Sequence, residues 1–315
     1  MKRFLFLVHP LSNPHRTIMA LRCRFWKSLV TEEYTQTEIS TLCRFRWKDK
    51  IEGVVMSIPF LPDEMIDDQE RALSLLHRAY RLALAEYGNI DAVGLGSLCS
   101  VVASRGVELQ KMIPVPVTTG NAATAWCLYA HIQNRSVTEP IAVLGSLSPV
   151  GQVLCRLLNQ NGYDLRVDKK RAAKKYGWSY GAAEEIVRGA SLVVGCGPTG
   201  PVVDGSALEP NAEVIDVALP GSIRGSVHNM VYQGEGMSMP SSWKRGFWGP
   251  LYHMVSGYGW NTVLACLIEP LIVVSLNRKE GLALGSRIDP QAVLDFGSEA
   301  DRLGFTPKLI IHRMG

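Results

Sequence analysis

The chain has no stretch both long and apolar enough to cross a bilayer. The run at 263–276 is too short and carries Glu269 and Pro270. Cysteine is scarce and scattered: Cys23, Cys43, Cys99, Cys127, Cys155, Cys196 and Cys266 form no CxxC pair and no Cys/His metal spacing. An odd count without paired spacing argues against a disulfide framework or a zinc site and for reduced thiols. There is no internal repeat and no low-complexity tract. No basic run accompanies a nucleic-acid-binding motif, so no nucleic-acid partner is expected. No export signal is expected either. The opening Met1-Lys2-Arg3 is basic, but the apolar segment behind it is five residues long and ends in His9-Pro10, which reads as a first strand. The expectation is a soluble, cytoplasmic protein.

What is present suits two domains with their own cores: 315 residues, 47% hydrophobic and 20% charged. The net charge of +4 is unevenly placed. Residues 1–50 hold ten Lys/Arg against Glu32, Glu33, Glu38 and Asp49. Such a face would attract an acidic partner or the surface of an anionic membrane, or serve only as a solvated surface.

Along the chain, residues 3–8 and 54–58 read as strands, and 16–27 as a short basic helix. Asp67 to Gly88 reads as a helix with Leu73, Leu76, Tyr80 and Leu84 on its core face. Residues 90–96 form a strand running into a glycine loop, and 112–117 an extended piece kept from helix by prolines. A helix over 122–132 follows Thr118-Thr119-Gly120-Asn121. Strands at 140–144, 163–168, 191–194 and 212–217 then alternate with helical segments. Strand–helix alternation, with loops of Gly and Pro after the strands, predicts a parallel doubly wound sheet. The expected class is α/β: an N-terminal α/β domain over 1–118, a Rossmann-type domain over 119–240, and a segment 241–315 with an aromatic-rich loop and C-terminal helices.

Two places carry chemistry. Gly145-Ser146-Leu147-Ser148-Pro149-Val150-Gly151 is a strand-to-helix turn of the kind whose backbone N–H groups hold a pyrophosphate. Ser148-Pro149 stands where the usual fingerprint has its middle glycine. Seventeen residues beyond Gly151, Asp168 is placed to bind a ribose 2′-OH, while Lys169, Lys170 and Arg171 could clamp a 2′-phosphate. We favour NADPH on that run of cations, with NADH as the alternative. Gly195, Gly197 and Pro198 follow another strand, where such sheets hold a cofactor, or form a plain turn. Thr119 and Asn121 could bind the nicotinamide or an oxyanion, or cap a helix.

The second place is the run 261–275, where Cys266 and Glu269 share a helical face. A thiol near an orienting group is a candidate nucleophile; a buried cysteine is otherwise a small hydrophobe. His253, at the edge of the loop holding Trp243, Phe247, Trp248, Tyr252, Tyr258 and Trp260, is the candidate general base, or a structural histidine.

These pieces resemble the cyanobacterial-type long-chain acyl-[acyl-carrier-protein] reductases, which form fatty aldehydes. The landmarks are Phe60-Leu61-Pro62-Asp63-Glu64-Met65, Leu95-Gly96-Ser97, Thr118-Thr119-Gly120-Asn121, the turn and helix from Val143 to Arg156, Gln233-Gly234-Glu235-Gly236, Leu264-Ala265-Cys266 with Glu269, and Leu303-Gly304-Phe305-Thr306-Pro307. The chain departs from that family at Ser148-Pro149 and over its first 50 residues. The resemblance implies NADPH, an acyl carrier protein or acyl-CoA as acyl donor, and Cys266 as the thiol that takes the acyl group before its reduction to an aldehyde. Two other readings stand beside it: an NAD(P)-dependent dehydrogenase of a small hydroxy or keto compound in which Cys266 only packs, and a non-catalytic Rossmann-type binding protein.

Overall fold

The computed structural model describes residues 1–10, 39–135, 137, 140–197, 200, 202–218, 221–225, 231–245 and 261–311. The basic segment 16–27, His253, Pro198 and all aromatics of the 241–261 loop except Trp243 lie outside them. The chain divides into two units, Met1–Gly120 with Met239–Gly285, and Asn121–Ser238 with Ser286–Gly315. The segment expected as a third part, 241–315, is therefore shared between the other two.

The first unit contains β1 (Lys2–Val8), β2 (Ser40–Trp47), β3 (Ile51–Ser57), α1 (Pro62–Asp67), α2 (Gln69–Tyr87), β4 (Ala92–Leu95), α3 (Val107–Met112) and β5 (Val117–Thr118). Its returning segment adds an edge strand, Trp243–Arg245, and the cysteine helix, Ala265–Ser275. The six-stranded sheet runs in the order edge strand, β2, β3, β1, β4, β5. β1 is parallel to β3 and β4, β4 is parallel to β5, and β2 is antiparallel to β3. Phe4, Leu5, Phe6 and Leu7 are all buried, the mark of a strand covered on both faces. Leu5 and Leu7 share a core with Ala72, Leu76, Ala79 and Ala83 of α2. Phe6 and Pro270 of the cysteine helix both lie against Gly94 on the other face. Leu84, expected in the core, is 38% exposed, because small alanines rather than Leu84 let α2 approach the sheet. Residues 112–117 also differ from expectation: α3 extends to Met112 before Ile113 turns extended.

The second unit opens with α4 (Asn121–Gln133) and continues with β6 (Ile141–Leu144), α5 (Pro149–Gln160), β7 (Leu165–Val167), α6 (Lys170–Tyr176), β8 (Ser179–Tyr180), α7 (Ala183–Val187), β9 (Leu192–Gly195), β10 (Val203–Asp204), β11 (Glu213–Asp216), β12 (Ile223–Arg224) and β13 (Val231–Ser238). A terminal helix, Pro290–Leu303, and an antiparallel terminal strand, Thr306–Ile311, complete it. The parallel strands lie in the order β8, β7, β6, β9, β11, β13. That is the 3-2-1-4-5-6 order of a Rossmann-type sheet, with its switch point between β6 and β9, the place where such sheets take ligands. The α/β expectation holds for both units. No helix among the described residues is long and apolar enough to cross a membrane.

Candidate functional site

The glycine turn leaves β6 at the switch point. Gly145 has φ +77°, and a Cβ there would lie 2.3 Å from the Gly197 nitrogen. Only glycine can hold both that backbone and that approach. A Cβ on Gly151 would lie 2.4 Å from the Gly145 carbonyl, so the start of α5 presses onto the turn. These are the tight-turn and close-packing roles of the first and last glycines of a dinucleotide fingerprint. Ser148 is the N-cap of α5, and its Oγ accepts from the Gly151 N–H at 2.9 Å. Pro149 takes the first helical position, where its missing N–H costs nothing, and Val150 is buried behind it. Ser148-Pro149 is thus a helix start built into the turn.

Asp168 closes the turn from the end of β7. Its Oδ2 accepts from the Gly145 N–H at 3.0 Å, and its Oδ1 accepts from the Ser146 N–H at 3.0 Å and from Ser146 Oγ at 2.8 Å. Lys169 Nζ stands 3.4 Å from Oδ2, and Lys170 Nζ lies 5.7 Å from the centre of the Tyr180 ring. At the end of β9, a Cβ on Gly195 would overlap the carboxylate of Asp216, which itself accepts from Ala218 and Ser222. The structure therefore brings together Gly145, Ser146, Ser148, Gly151, Asp168, Lys169 and Gly197. The backbone fits a dinucleotide: a glycine turn at the switch point, a helix start beside it, and cations at the end of β7. What sequence reasoning missed here is the tie from Ser146 to Asp168; the hydroxyl right after the first glycine was its signal.

In the first unit, Thr118, Gly120, Cys266 and Glu269 form a second cluster. Cys266 is the second residue of the cysteine helix. The helix starts at Ala265, after the short strand Thr262–Leu264, rather than running from 261. Of the six described cysteines it is the one not buried. Burial pushes the Cys99, Cys127, Cys155 and Cys196 thiols far up, which holds them neutral. Gly120, at φ +79°, meets Cys266 directly, since a Cβ there would lie 2.3 Å from the Cys266 Cβ. Glu269 is fully buried; its Oε1 accepts from the Thr118 hydroxyl and from the Gly120 N–H at 3.0 Å. Pro270 lacks the N–H that would otherwise reach back to the Cys266 carbonyl. Thr119 is buried in the same unit, with its N–H on the Ala283 carbonyl at 2.9 Å. Asn121 is the first residue of α4 in the other unit. Chemically, the cluster sets one partly exposed thiol in the first turn of a helix.

No family model matches the chain. A curated relative is the aminotransferase PigE of Serratia sp. (strain ATCC 39006), 26% identical over 280 residues, which are 81% of this chain and 32% of that protein. The chain thus spans about a third of the length of the curated relative it matches. Among solved structures it is similar to L-tryptophan dehydrogenase from Nostoc punctiforme, at 14% identity and a TM-score of 0.35, over 96% of this chain and 87% of that one. It is likewise similar to methylenetetrahydrofolate dehydrogenase-cyclohydrolase from Trypanosoma brucei, at 12% identity and a TM-score of 0.35, over 96% and 88%. The expected membership of the acyl-[acyl-carrier-protein] reductases is corrected by these findings: the curated relative bears an aminotransferase's name. Several of the short motifs that suggested the family serve as helix caps or tight turns here, among them Leu61, Gly120, Ser148 and Gly304.

Proposed function

We propose that the chain is an NAD(P)-dependent oxidoreductase acting on a carbonyl or hydroxyl compound. The observation that carries this reading is the glycine turn at the switch point of a 3-2-1-4-5-6 sheet, closed onto Gly197 and tied by Asp168. The Gly145–Gly151 turn and the start of α5 would hold the pyrophosphate, and the end of β7 the adenosine ribose. When bound, the nicotinamide supplies or takes a hydride at the carbon of the substrate. Amino transfer also consumes or yields a carbonyl compound, so the name of the PigE relative is compatible with this substrate class. The test is titration of the full chain with NADPH and NADH, followed by absorbance at 340 nm over a panel of aldehydes, ketones and 2-oxo acids. A folded protein that binds neither nucleotide would sink the reading.

A second reading is favoured by the partial exposure of Cys266, the one described cysteine that is not buried. Here the thiolate attacks the carbonyl carbon of an acyl thioester presented by a carrier protein or coenzyme A. A new C–S bond forms at Cys266, the bond to the carrier sulfur breaks with its electron pair on that sulfur, and the proton given up by the Cys266 thiol goes to the departing thiolate. Incubation with acyl-CoA and no nucleotide should add one acyl mass to the wild type and none to Cys266→Ser. An unmodified wild-type mass would remove the covalent step and leave the dehydrogenase reading in place.

A further inference from the structure

An acid at the end of the second strand of a Rossmann-type sheet ordinarily binds the ribose 2′-OH and selects NAD. Asp168 occupies that place but is already spent. A carboxylate offers about four lone-pair sites. Oδ1 is taken by the Ser146 N–H and the Ser146 hydroxyl, and Oδ2 by the Gly145 N–H and Lys169 Nζ. Its side chain is 5% exposed. A ribose hydroxyl arriving at the end of β7 finds no acceptor left on it. Lys169 differs: its side chain is 50% exposed at that same strand end, and Arg171 follows in the sequence.

Resting on the reading of this chain as an NAD(P)-dependent enzyme, we infer that Asp168 is an internal tie of the nucleotide turn and not a ribose ligand, and that Lys169 selects a 2′-phosphorylated nucleotide. Asp168 thus acts as a positioning residue, holding Gly145 and Ser146 in the turn. The carboxylate also sets Lys169 in place, because its Oδ2 is within ion-pair distance of Nζ. A 2′-phosphate then meets an ammonium, whereas a bare 2′-OH meets a carboxylate that is already full. Ser146 controls the outcome: without its hydroxyl, Oδ1 regains one acceptor site for a ribose hydroxyl.

The experiment is equilibrium titration of the full chain, followed by protein fluorescence, with NADPH and NADH as separate probes. The wild type should bind NADPH on the order of tenfold more tightly, as for loss of one charge-assisted hydrogen bond to phosphate. Lys169→Glu, a change at a half-exposed side chain, should abolish or reverse that ratio, chiefly by weakening NADPH. Ser146→Ala should narrow the ratio from the other side, by tightening NADH. Asp168→Asn should weaken both probes by a similar factor and lower the melting temperature. The inference is overturned if the wild type binds NADH as tightly as NADPH, if Lys169→Glu leaves the ratio unchanged, or if Asp168→Asn weakens NADH alone. Binding of neither probe to the folded wild type would instead overturn the underlying assignment of a nicotinamide cofactor.

Discussion

Gly120→Ala separates backbone strain from contact with the thiol. Gly120 sits at φ +79°, where a residue with a Cβ costs about 1–2 kcal/mol. The added methyl would also stand 2.3 Å from the Cβ and 2.8 Å from the Cα of Cys266. Neither atom is the far end of a flexible side chain, so the start of the cysteine helix must move. Overpacking of that kind costs a further ~1–3 kcal/mol. The total expected loss is about 2–5 kcal/mol. Gly162 provides the control: its φ is +78°, yet a Cβ there meets nothing within 4 Å. Gly162→Ala should therefore cost only the backbone share, about 1–2 kcal/mol. Urea unfolding of both variants measures the difference, and the alkylation rate of Cys266 reports its displacement. Equal losses in the two variants, with an unchanged alkylation rate, would refute the packing of Gly120 against Cys266.

Glu269→Gln keeps an oxygen for Thr118 and Gly120 and should cost about 1 kcal/mol, whereas Glu269→Ala removes it and should cost about 3 kcal/mol; equal costs in urea melts would contradict the tie. Burial first, and then the neighbouring Arg135, lowers His131 to about 4 from 6.5, against the opposing pull of Glu213. A base depressed by folding leaves the native state at full advantage above pH 6.5 and costs it stability as the pH falls toward 4. At pH 5 the wild type should lose on the order of 2 kcal/mol relative to His131→Gln, and urea midpoints at pH 7 and 5 that move in parallel would exclude it. Glu52 is fully buried between Arg3, Arg44 and Arg46. Burial opposes its charge, but the hydrogen bonds from Arg3 and Arg44 win and hold the carboxyl below its ordinary range. Its contribution is present above the ordinary carboxylate pKa and is lost as the pH falls through the lowered one. Glu52→Gln should cost about 3 kcal/mol at pH 7, the low end for a broken buried pair because Arg44 and Arg46 are half exposed. A loss that persists undiminished at pH 3 in a urea series would show that the charge is not its source.

The α/β architecture was legible because buried parallel strands leave runs such as Phe4-Leu5-Phe6-Leu7 and Ile141-Ala142-Val143-Leu144, which suit few other folds. The turn from Gly145 to Gly151 was legible for a related reason: Gly151 answers to a contact within one strand–helix step, although Gly145 also answers to the distant Gly197. The return of residues 239–285 to the first unit was not, since the unit's edge strand and cysteine helix join it through partners about 150–200 positions earlier in the chain. Composition and periodicity carry no record of such pairings. The same limit explains Glu269. Its spacing from Cys266 placed both on one face, but only the fold shows that the carboxylate is committed to Thr118 and Gly120.

Ser148-Pro149 changes what the turn offers a ligand. A middle glycine lets a pyrophosphate approach the backbone, and its absence reads as a lost function. Here a helix start fills that place, and the close approach of Gly145 is to the Gly197 backbone rather than to a phosphate. Ser148 then spends its hydroxyl on the Gly151 N–H, and Pro149 removes a donor that the helix would have left unpaired. Asp168 takes two more N–H groups of the turn. The donors of Gly145, Ser146, Ser148 and Gly151 are therefore satisfied within the protein, which tends to make a turn rigid before any ligand arrives. A rigid turn saves ordering cost on binding but offers fewer hydrogen bonds to phosphate. On the proposed reading as a nicotinamide enzyme, selectivity then rests on charge at the rim more than on the backbone cradle, so Lys169 rather than Asp168 is the residue to change first.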